Sequence, residues 1–272
     1  MRVLVLGAGG MLGRDVARLA GDAVVALGRA DCDVTDAGAV RSAVSRAEPG
    51  VVVNCAAWTD VDGAEAEREQ ALLVNELGAR NAAEAAAAGG ASVVYVSTDY
   101  VFDGSKREPY VESDPTGPLS SYGRSKLAGE QATAAANPRH FVVRSSWLFG
   151  EHGKNFVATM LASPRDELRV VDDQVGCPTY TPHLAEGILQ LARGEDFGVH
   201  HMAGAGQCSW YELARAIFER AGIDKRVEPC TSEEFPRPAP RPAWSVLRSE
   251  RPGAIELPPW QAGLDAYLGV KV

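Results

Sequence analysis

The chain has 272 residues, a net charge of −9 and 46% hydrophobic residues. This length suits one large domain or two small ones, and the ordinary globular composition excludes a disordered chain. The excess of acidic over basic residues disfavours non-specific binding to nucleic acid. Apolar runs such as Val51–Val53 are too short to span a bilayer, and no signal-peptide pattern opens the sequence. We therefore expect a cytoplasmic protein that binds neither nucleic acid nor membranes.

The first half of the chain alternates between strand and helix patterns. Strands are predicted at Arg2–Leu6, Ala23–Leu27, Val51–Asn54, Ser92–Ser97 and His140–Ser145. Helices are predicted between them at Met11–Ala20, Asp36–Ala47, Ala64–Ala88 and Tyr122–Ala136. Repeated strand–helix–strand units indicate an α/β protein with a doubly wound parallel sheet of the Rossmann type.

The second half is less regular and predicts a smaller α/β domain. Thr181 is the expected N-cap of a helix over Pro182–Ala192, and Ser209 with Glu212 has capping-box spacing. We expect residues 1–148 to form an NAD(P)-binding domain and residues 149–272 to form mainly a substrate-binding domain. A return helix near residues 182–193 is a candidate to pack on the Rossmann sheet. The five cysteines are widely spaced, which fits reduced, mostly buried thiols.

A glycine-rich turn joins the first predicted strand to the first helix. Its glycines at 7, 10 and 13 allow a tight turn and a close approach of a diphosphate to the backbone. The following helix begins at Met11 and Leu12, where free N–H groups favour anions. A turn that merely packs strand on helix is the alternative. The flanking pattern favours a dinucleotide site.

The end of the second predicted strand bears on the choice of cofactor. NAD-preferring sites usually have an acidic residue there for the ribose 2′-hydroxyl, but this strand ends in Gly28-Arg29. Arg29 can pair with a 2′-phosphate, which favours NADPH. Asp31 and Asp33 follow closely, so NADH stays possible.

Tyr122 and Lys126 lie four residues apart and share one face of a predicted helix. A nearby lysine cation favours the phenolate, so we expect Lys126 to lower the pKa of Tyr122 and make it a general acid. Thr98 follows the fourth strand at the carboxyl edge of the sheet, where its hydroxyl can donate to the same carbonyl oxygen. A helix-surface pair and a strand-capping turn are the respective alternatives.

Several further motifs narrow the interpretation. They are Asn54–Asp62, Ser97–Gly104, Val143–Trp147 and Asp173–Thr179. With the glycine turn and the Tyr122–Lys126 pair, the sequence resembles the dTDP-4-dehydrorhamnose reductase family of the extended short-chain dehydrogenase/reductase superfamily. The resemblance runs from Arg2 to about Leu247. It implies NAD(P)H-dependent reduction of the 4-keto group of dTDP-4-dehydro-L-rhamnose, with a nucleotide sugar as substrate.

The resemblance also implies roles for individual residues. It places Gly10, Met11 and Leu12 at the cofactor diphosphate, Asp33 and Val34 near the adenine, and Ala57, Trp58 and Thr59 along the cofactor. Thr98, Tyr122 and Lys126 fall on the catalytic trio, while Asp99, Tyr100 and Trp147 fall on the sugar site. Independently of the resemblance, Arg237 and Arg241 in the proline-rich stretch can reach the diphosphate of the substrate, because guanidinium groups suit phosphate oxygens. A solvated side chain is the alternative for both, and it is favoured more for Arg237 than for Arg241.

Three alternatives stay open. One is another nucleotide-sugar enzyme, although Tyr100 occupies the position where a dehydratase has glutamate. Another is a non-catalytic NADP-binding subunit like the beta subunit of methionine adenosyltransferase. Some relatives also pair through magnesium, and Asp15, Glu195 and Asp196 are acidic, but solvated carboxylates are the simpler interpretation and no metal ligand is assigned. The expected state is a monomer or a homodimer.

Overall fold

The central sheet consists of six parallel strands, and the computed structural model describes residues 1–269. The strands of the chain are β1 (Val3–Leu6), β2 (Val24–Leu27), β3 (Val51–Asn54), β4 (Ser92–Thr98), β5 (His140–Ser145), β6 (Leu148–Phe149), β7 (Glu167–Val171), β8 (Val175–Gly176), β9 (Thr179–Tyr180), β10 (Gly198–His201), β11 (Gly204–Ala205), β12 (Cys208–Ser209), β13 (Arg226–Cys230) and β14 (Leu257–Pro259). The order across the sheet is β10-β5-β4-β3-β1-β2.

Helices cover both faces of this sheet, which confirms the predicted doubly wound fold. The α-helices are α1 (Met11–Ala20), α2 (Ala37–Ala47), α3 (Gly63–Ala66), α4 (Arg68–Leu72), α5 (Gly78–Ala88), α6 (Ser121–Ala136), α7 (Phe156–Leu161), α8 (Thr181–Leu191), α9 (Trp210–Ala221) and α10 (Trp260–Leu268). Strand order reverses between β1 and β3, so their carboxyl ends flank a crevice of the kind that binds ligands in such sheets.

The two faces of the sheet bury different side chains of the same strands. Val3 and Val5 of β1 pack with α1 and α8, whereas Leu4 and Leu6 pack with α2 and α5. All four residues of β1 and of β3 are buried, because parallel strands covered on both faces have no solvent side. In the described residues 1–269, no helix is long and apolar enough to cross a membrane.

The second half of the chain builds a smaller hydrophobic core of its own. Its main cluster includes Phe149, Leu213, Ile217, Trp260 and Leu264. The capping box of α9 is confirmed: Ser209 accepts from the Glu212 N–H, and Glu212 accepts from the Ser209 N–H. Leu184 and Ile188 of α8 instead share a cluster with β1 and β3. A boundary between two domains at residue 148 stays a prediction.

The prediction of one continuous helix over Ala64–Ala88 is wrong. The backbone breaks at Glu67, and a π-helical turn over Leu73–Leu77 precedes α5. The π turn carries Asn75, which is fully buried and bonds to Trp58 and Ser125. Single π turns often mark functional sites. The helix is therefore locally widened at the residue whose side chain makes these polar contacts.

The prediction of Thr181 as an N-cap is also wrong. The N-cap of α8 is Tyr180, and Thr181 is the first helical residue. The Thr181 hydroxyl donates instead to Asp15 Oδ2 at 2.7 Å, which ties α8 to α1. All five cysteines carry free thiols, and all except the half-buried Cys55 are buried, as expected.

Candidate active site

The glycine turn after β1 provides a cradle that larger residues would fill. Gly7 has φ +74°, and a Cβ there would lie 2.5 Å from the backbone nitrogen of Ala56. A Cβ on Gly13 would lie 2.3 Å from the Gly7 carbonyl oxygen. Gly10 is the N-cap of α1 and offers no side-chain cap, so N–H groups of the first turn, including those of Met11 and Leu12, lack a side-chain partner. This geometry fits a dinucleotide diphosphate.

Arg29 lies at the end of β2 with its side chain 82% exposed. Its guanidinium is 4.0 Å from Asp33, a solvated pair that leaves most of its donors free. The Asp33 carboxylate accepts from the backbone and hydroxyl of Thr35, which holds its pKa below the usual value. Val34 is buried beside it. A largely unpaired cationic group is therefore available at the end of β2.

The loop after β3 is fixed by a residue that the sequence interpretation missed. Asn75 accepts from the Trp58 N–H at 2.8 Å and donates to the Trp58 carbonyl at 3.1 Å and to Ser125 Oγ at 2.9 Å. It thereby connects the Ala57-Trp58-Thr59 segment to α6. The signal that the sequence offers for this role is an asparagine within a largely apolar stretch predicted to be helical.

Tyr122 is held at the start of α6 by contacts from three segments. Ser120 caps the helix by accepting from the Gly123 N–H. Glu65 of α3 accepts from the backbone and the hydroxyl of Ser121 at 2.6 and 2.9 Å. Gly123 allows close packing, since a Cβ there would lie 2.3 Å from the Tyr100 carbonyl oxygen. The ring of Tyr122 consequently meets that of Tyr100 edge-on, with centroids 6.1 Å apart.

Thr98, Asp99, Tyr100 and Tyr122 come together at the carboxyl end of β4. The Thr98 hydroxyl donates to Asp99 Oδ1 at 3.0 Å, and the presence of this hydroxyl beside Tyr122 acts to lower the pKa of the phenol. Burial nevertheless raises the pKa of Tyr122 well above the usual value, and the charge of Asp99 adds to the rise. The phenol is therefore protonated at neutral pH and can act as an acid.

The expectation that Lys126 lowers the pKa of Tyr122 is wrong for this structure. The Lys126 ammonium donates to the Val96 carbonyl at 2.7 Å and lies 4.1 Å from the centroid of the Tyr95 ring. It is 2% exposed, and burial lowers its own pKa to about 7, opposed by the charge of Glu130. Helical spacing predicts a shared face but not where a long side chain ends.

An ionic network lies behind Lys126 on the same helix. Glu130 accepts from Arg144 on β5, with Nη2 to Oε2 at 2.8 Å, and from the Ser97 hydroxyl at 2.5 Å. Arg144 also approaches His201 Nε2 at 3.5 Å and the face of Phe102 at 5.1 Å. All the charged members are buried. The network fixes α6 against β4 and β5.

Trp147 adopts an unusual conformation beside a second tryptophan. Its φ is +47°, which is rare outside glycine, and its ring stacks on Trp210 with centroids 3.5 Å apart and planes 5° apart. Gly176 makes room, since a Cβ there would lie 2.5 Å from the Trp147 ring. The indole N–H of Trp147 is buried without a partner in residues 1–269. Strain of this kind concentrates at functional sites. Trp210 was not predicted from the sequence.

Arg241 is held by a carboxylate from the other half of the chain. Asp62 accepts from Arg241 Nη1 and Nη2 at 3.0 and 3.1 Å and from Arg237 Nε at 2.9 Å. These arginines hold the pKa of Asp62 far below the usual value, and Arg241 also interacts with Tyr100. Arg237 is thus paired rather than simply solvated. Two guanidinium groups share one carboxylate, which leaves cationic charge beside Tyr100.

The three acidic residues considered for magnesium do not form a cluster of metal-ligating side chains in residues 1–269. Asp15 is bonded to Thr181 and Arg18, and Asp196 is paired with Arg251. Within residues 1–269, no group of three or more His, Cys, Asp or Glu side chains is arranged to hold a metal ion.

The family described as RmlD substrate binding domain matches residues 1–271. A dTDP-4-dehydrorhamnose reductase from Mycolicibacterium smegmatis is 48% identical over an alignment of 282 residues, which covers 99% of this chain and 86% of that protein. The solved structure of a dTDP-4-dehydrorhamnose reductase from Clostridium acetobutylicum has a TM-score of 0.95 at 43% identity and 99% coverage of both chains.

The Bacillus anthracis dTDP-4-dehydrorhamnose reductase, solved in complex with NADP, likewise has a TM-score of 0.95, at 37% identity and 99% coverage of both chains. Both the sequence and the fold therefore match across nearly the whole chain. This chain belongs to the RmlD substrate binding domain family.

Proposed function

We propose that this protein is an NADPH-dependent reductase that converts the 4-keto group of dTDP-4-dehydro-L-rhamnose into the hydroxyl of dTDP-L-rhamnose. The observation that carries the proposal is the half-buried, protonated Tyr122 phenol beside Thr98 at the carboxyl edge of the sheet. The names of the similar proteins from M. smegmatis and C. acetobutylicum support the same reaction.

NADPH, when bound, supplies the hydride that reaches C4 of the sugar. The glycine cradle and the N-terminus of α1 suit its diphosphate, and Arg29 suits its 2′-phosphate. The NADP complex of the B. anthracis relative supports this choice. NADH stays possible because Asp33 is available near Arg29.

Tyr122 donates its proton to the C4 oxygen as negative charge develops there, and Thr98 orients the phenol. Lys126 contributes a buried cation near the site and would hold the cofactor ribose. Tyr100, Asp99 and the strained Trp147 are proposed to line the sugar pocket. Arg241 is proposed to contact the diphosphate of the nucleotide sugar, which would exchange part of its pairing with Asp62.

Two other functions are less well supported. A dehydratase would need an acid where Tyr100 stands, and the pKa of that phenol is raised by burial. A purely binding subunit would have no need of the Thr98–Tyr122–Lys126 set.

The direct experiment generates dTDP-4-dehydrorhamnose from dTDP-glucose with coupled enzymes and follows NADPH oxidation at catalytic enzyme concentration. We expect turnover, with dTDP-rhamnose as the product. NADPH binding without turnover would instead support the binding subunit.

A further inference from the structure

Two large apolar side chains lie next to each other on the surface of the helical segment that packs against α6. Leu72 is the last residue of α4 and Leu73 is the first residue of the π turn, and they are 39% and 43% exposed. Leu19 and Phe235 are also exposed, but each stands singly, which is usual on a protein surface. Adjacent exposed leucines that charged residues border indicate instead a site of protein contact.

The two leucines line a groove of about 320 Å³ that runs over the π turn. All the lining residues come from one continuous run of helical backbone, which consists of α4, the π turn and α5. They are Glu69, Leu72, Leu73, Glu76, Leu77 and Arg80. The other side of this run, which includes Asn75, Ala79 and Ala82, is buried in the protein. The groove is therefore the outward face of a helix whose inward face is already packed.

The charges of the groove are separated along its length. Glu69 is exposed at the amino-terminal end, and Arg80 lies at the carboxyl-terminal end. Arg80 donates to Glu76 at 2.9 Å, but its side chain is 45% exposed. A guanidinium has five N–H donors, so Arg80 keeps donors for a further carboxylate. The groove thus has an acidic end, an apolar middle and a basic end.

A second copy of the same groove complements these charges when the two helices run antiparallel. Glu69 and Arg80 lie at equal distances on either side of a point midway between Leu72 and Leu77. A two-fold axis at this point brings each Glu69 opposite the partner's Arg80, with each charge about 8 Å from the axis at the usual helical rise. A parallel arrangement would instead oppose like charges at both ends, which is unfavourable.

We propose that the groove over the π turn binds a second copy of this chain in an antiparallel, two-fold symmetric contact. Leu73 lies beside the axis, where the leucines of the two copies bury each other, and two Glu69–Arg80 contacts fix the register. One helix face from each copy offers fewer than the roughly 20–30 residues a side of a standard interface. The dimer is therefore weak and depends on protein concentration. The proposal is independent of the proposed reduction, so association rather than activity is the readout.

Sedimentation velocity of the full chain at about 1–100 μM tests this association. Wild type should shift from a 28.8 kDa monomer toward twice that mass as the concentration rises. The shift should be larger at low ionic strength, because salt screens exposed charges. Amide hydrogen exchange in residues 69–80 should slow over the same concentrations. A wild type that stays monomeric throughout would overturn the proposal.

Leu73→Lys places two like charges beside the two-fold axis and should raise the Kd of the dimer about tenfold or more. Leu19→Lys is the matched control, because Leu19 is 41% exposed on α1 and does not line the groove. The control should leave the Kd within about twofold of wild type. Dimerisation of Leu73→Lys as tight as that of wild type would assign the association to another surface and overturn the proposal.

Charge reversal tests the pairing of Glu69 with Arg80. Glu69→Lys and Arg80→Glu should each weaken self-association, since either change opposes like charges twice in the dimer. An equimolar mixture of the two single variants restores both attractive contacts and should associate more tightly than either variant alone. The double variant should dimerise by itself, as only the antiparallel arrangement allows.

The mixture contains the same folded proteins as the two separate samples, so recovery reports on the contact and not on folding. A mixture that associates no more tightly than either single variant would overturn the pairing. A double variant that stays monomeric while the mixture associates would overturn the antiparallel arrangement.

Discussion

Glu130 and Arg144 form an ion pair in which both side chains are about 5% exposed, and Glu130 lies one helical turn after Lys126. Such a pair connects α6, the helix that carries Tyr122 and Lys126, to β5. Removing one partner leaves the other charge buried and unpaired, which typically costs about 3–5 kcal/mol. We expect Glu130→Gln to lower the free energy of unfolding by that amount in urea denaturation.

The exposed pair of Arg226 and Glu228 provides the control for this prediction. Glu228→Gln should leave the urea midpoint unchanged within error. A loss below about 1 kcal/mol for Glu130→Gln would place it in the range of a surface salt bridge and would contradict the proposed anchoring of α6.

Lys126 should leave a signature in the pH dependence of stability. Its folded pKa is about 7, below the usual lysine value, so the unfolded chain binds more protons between pH 7 and about 10.5. Stability rises with pH wherever this holds, by up to about 1.4 kcal/mol per pH unit for one proton. Wild type should therefore gain stability relative to Lys126→Met over this window. Parallel curves for the two proteins would show that the ammonium is not buried.

Trp147 should act on substrate rather than on cofactor. Its strained backbone and its stacking on Trp210 present a rigid aromatic surface. We expect Trp147→Ala to raise the KM for the nucleotide sugar about tenfold, or about 1.4 kcal/mol, while the Kd for NADPH changes less than twofold. A loss of NADPH affinity with an unchanged KM for the sugar would assign Trp147 to the core or to the cofactor pocket.

Arg29 should discriminate between the two nicotinamide cofactors. Hydrogen bonds to charged groups contribute about 1.5–3 kcal/mol, so Arg29→Ala should raise the KM for NADPH about tenfold or more and barely change that for NADH. Arg41→Ala on the exposed face of α2 is the matched control and should affect neither. Equal losses with both cofactors would show that Arg29 does not recognise the phosphate.

The strands and helices of the sheet were predictable because their patterns are local. β3, β5 and α1 have the predicted bounds, and one predicted end differs by one residue for each of β1, β2, β4, α2 and α6. The glycine turn and the Tyr122–Lys126 spacing were predictable for the same reason. Each of these patterns depends only on residues that are close neighbours in the sequence.

The remaining features depend on partners that are distant in sequence. Asp62 meets Arg237 across 175 residues, and Trp147 meets Trp210 from another segment, so no local pattern indicates either pair. The effect of Lys126 on the pKa of Tyr122 was wrongly predicted, because a shared helical face does not fix where a flexible four-carbon side chain ends. The π turn at Asn75 reflects contacts to Trp58 and Ser125, which override the local helical pattern.

The proposed reduction depends on proton donation from Tyr122 to the C4 oxygen of the sugar. Tyr122→Phe keeps the ring and its edge contact with Tyr100 but removes the proton donor. The decisive measurement is kcat for NADPH oxidation with dTDP-4-dehydrorhamnose, made on wild type and on Tyr122→Phe, with the Kd for NADPH determined separately. We predict that kcat falls about 10²–10⁴-fold while the Kd stays within about twofold. Near-normal turnover by Tyr122→Phe would show that Tyr122 is not the proton donor.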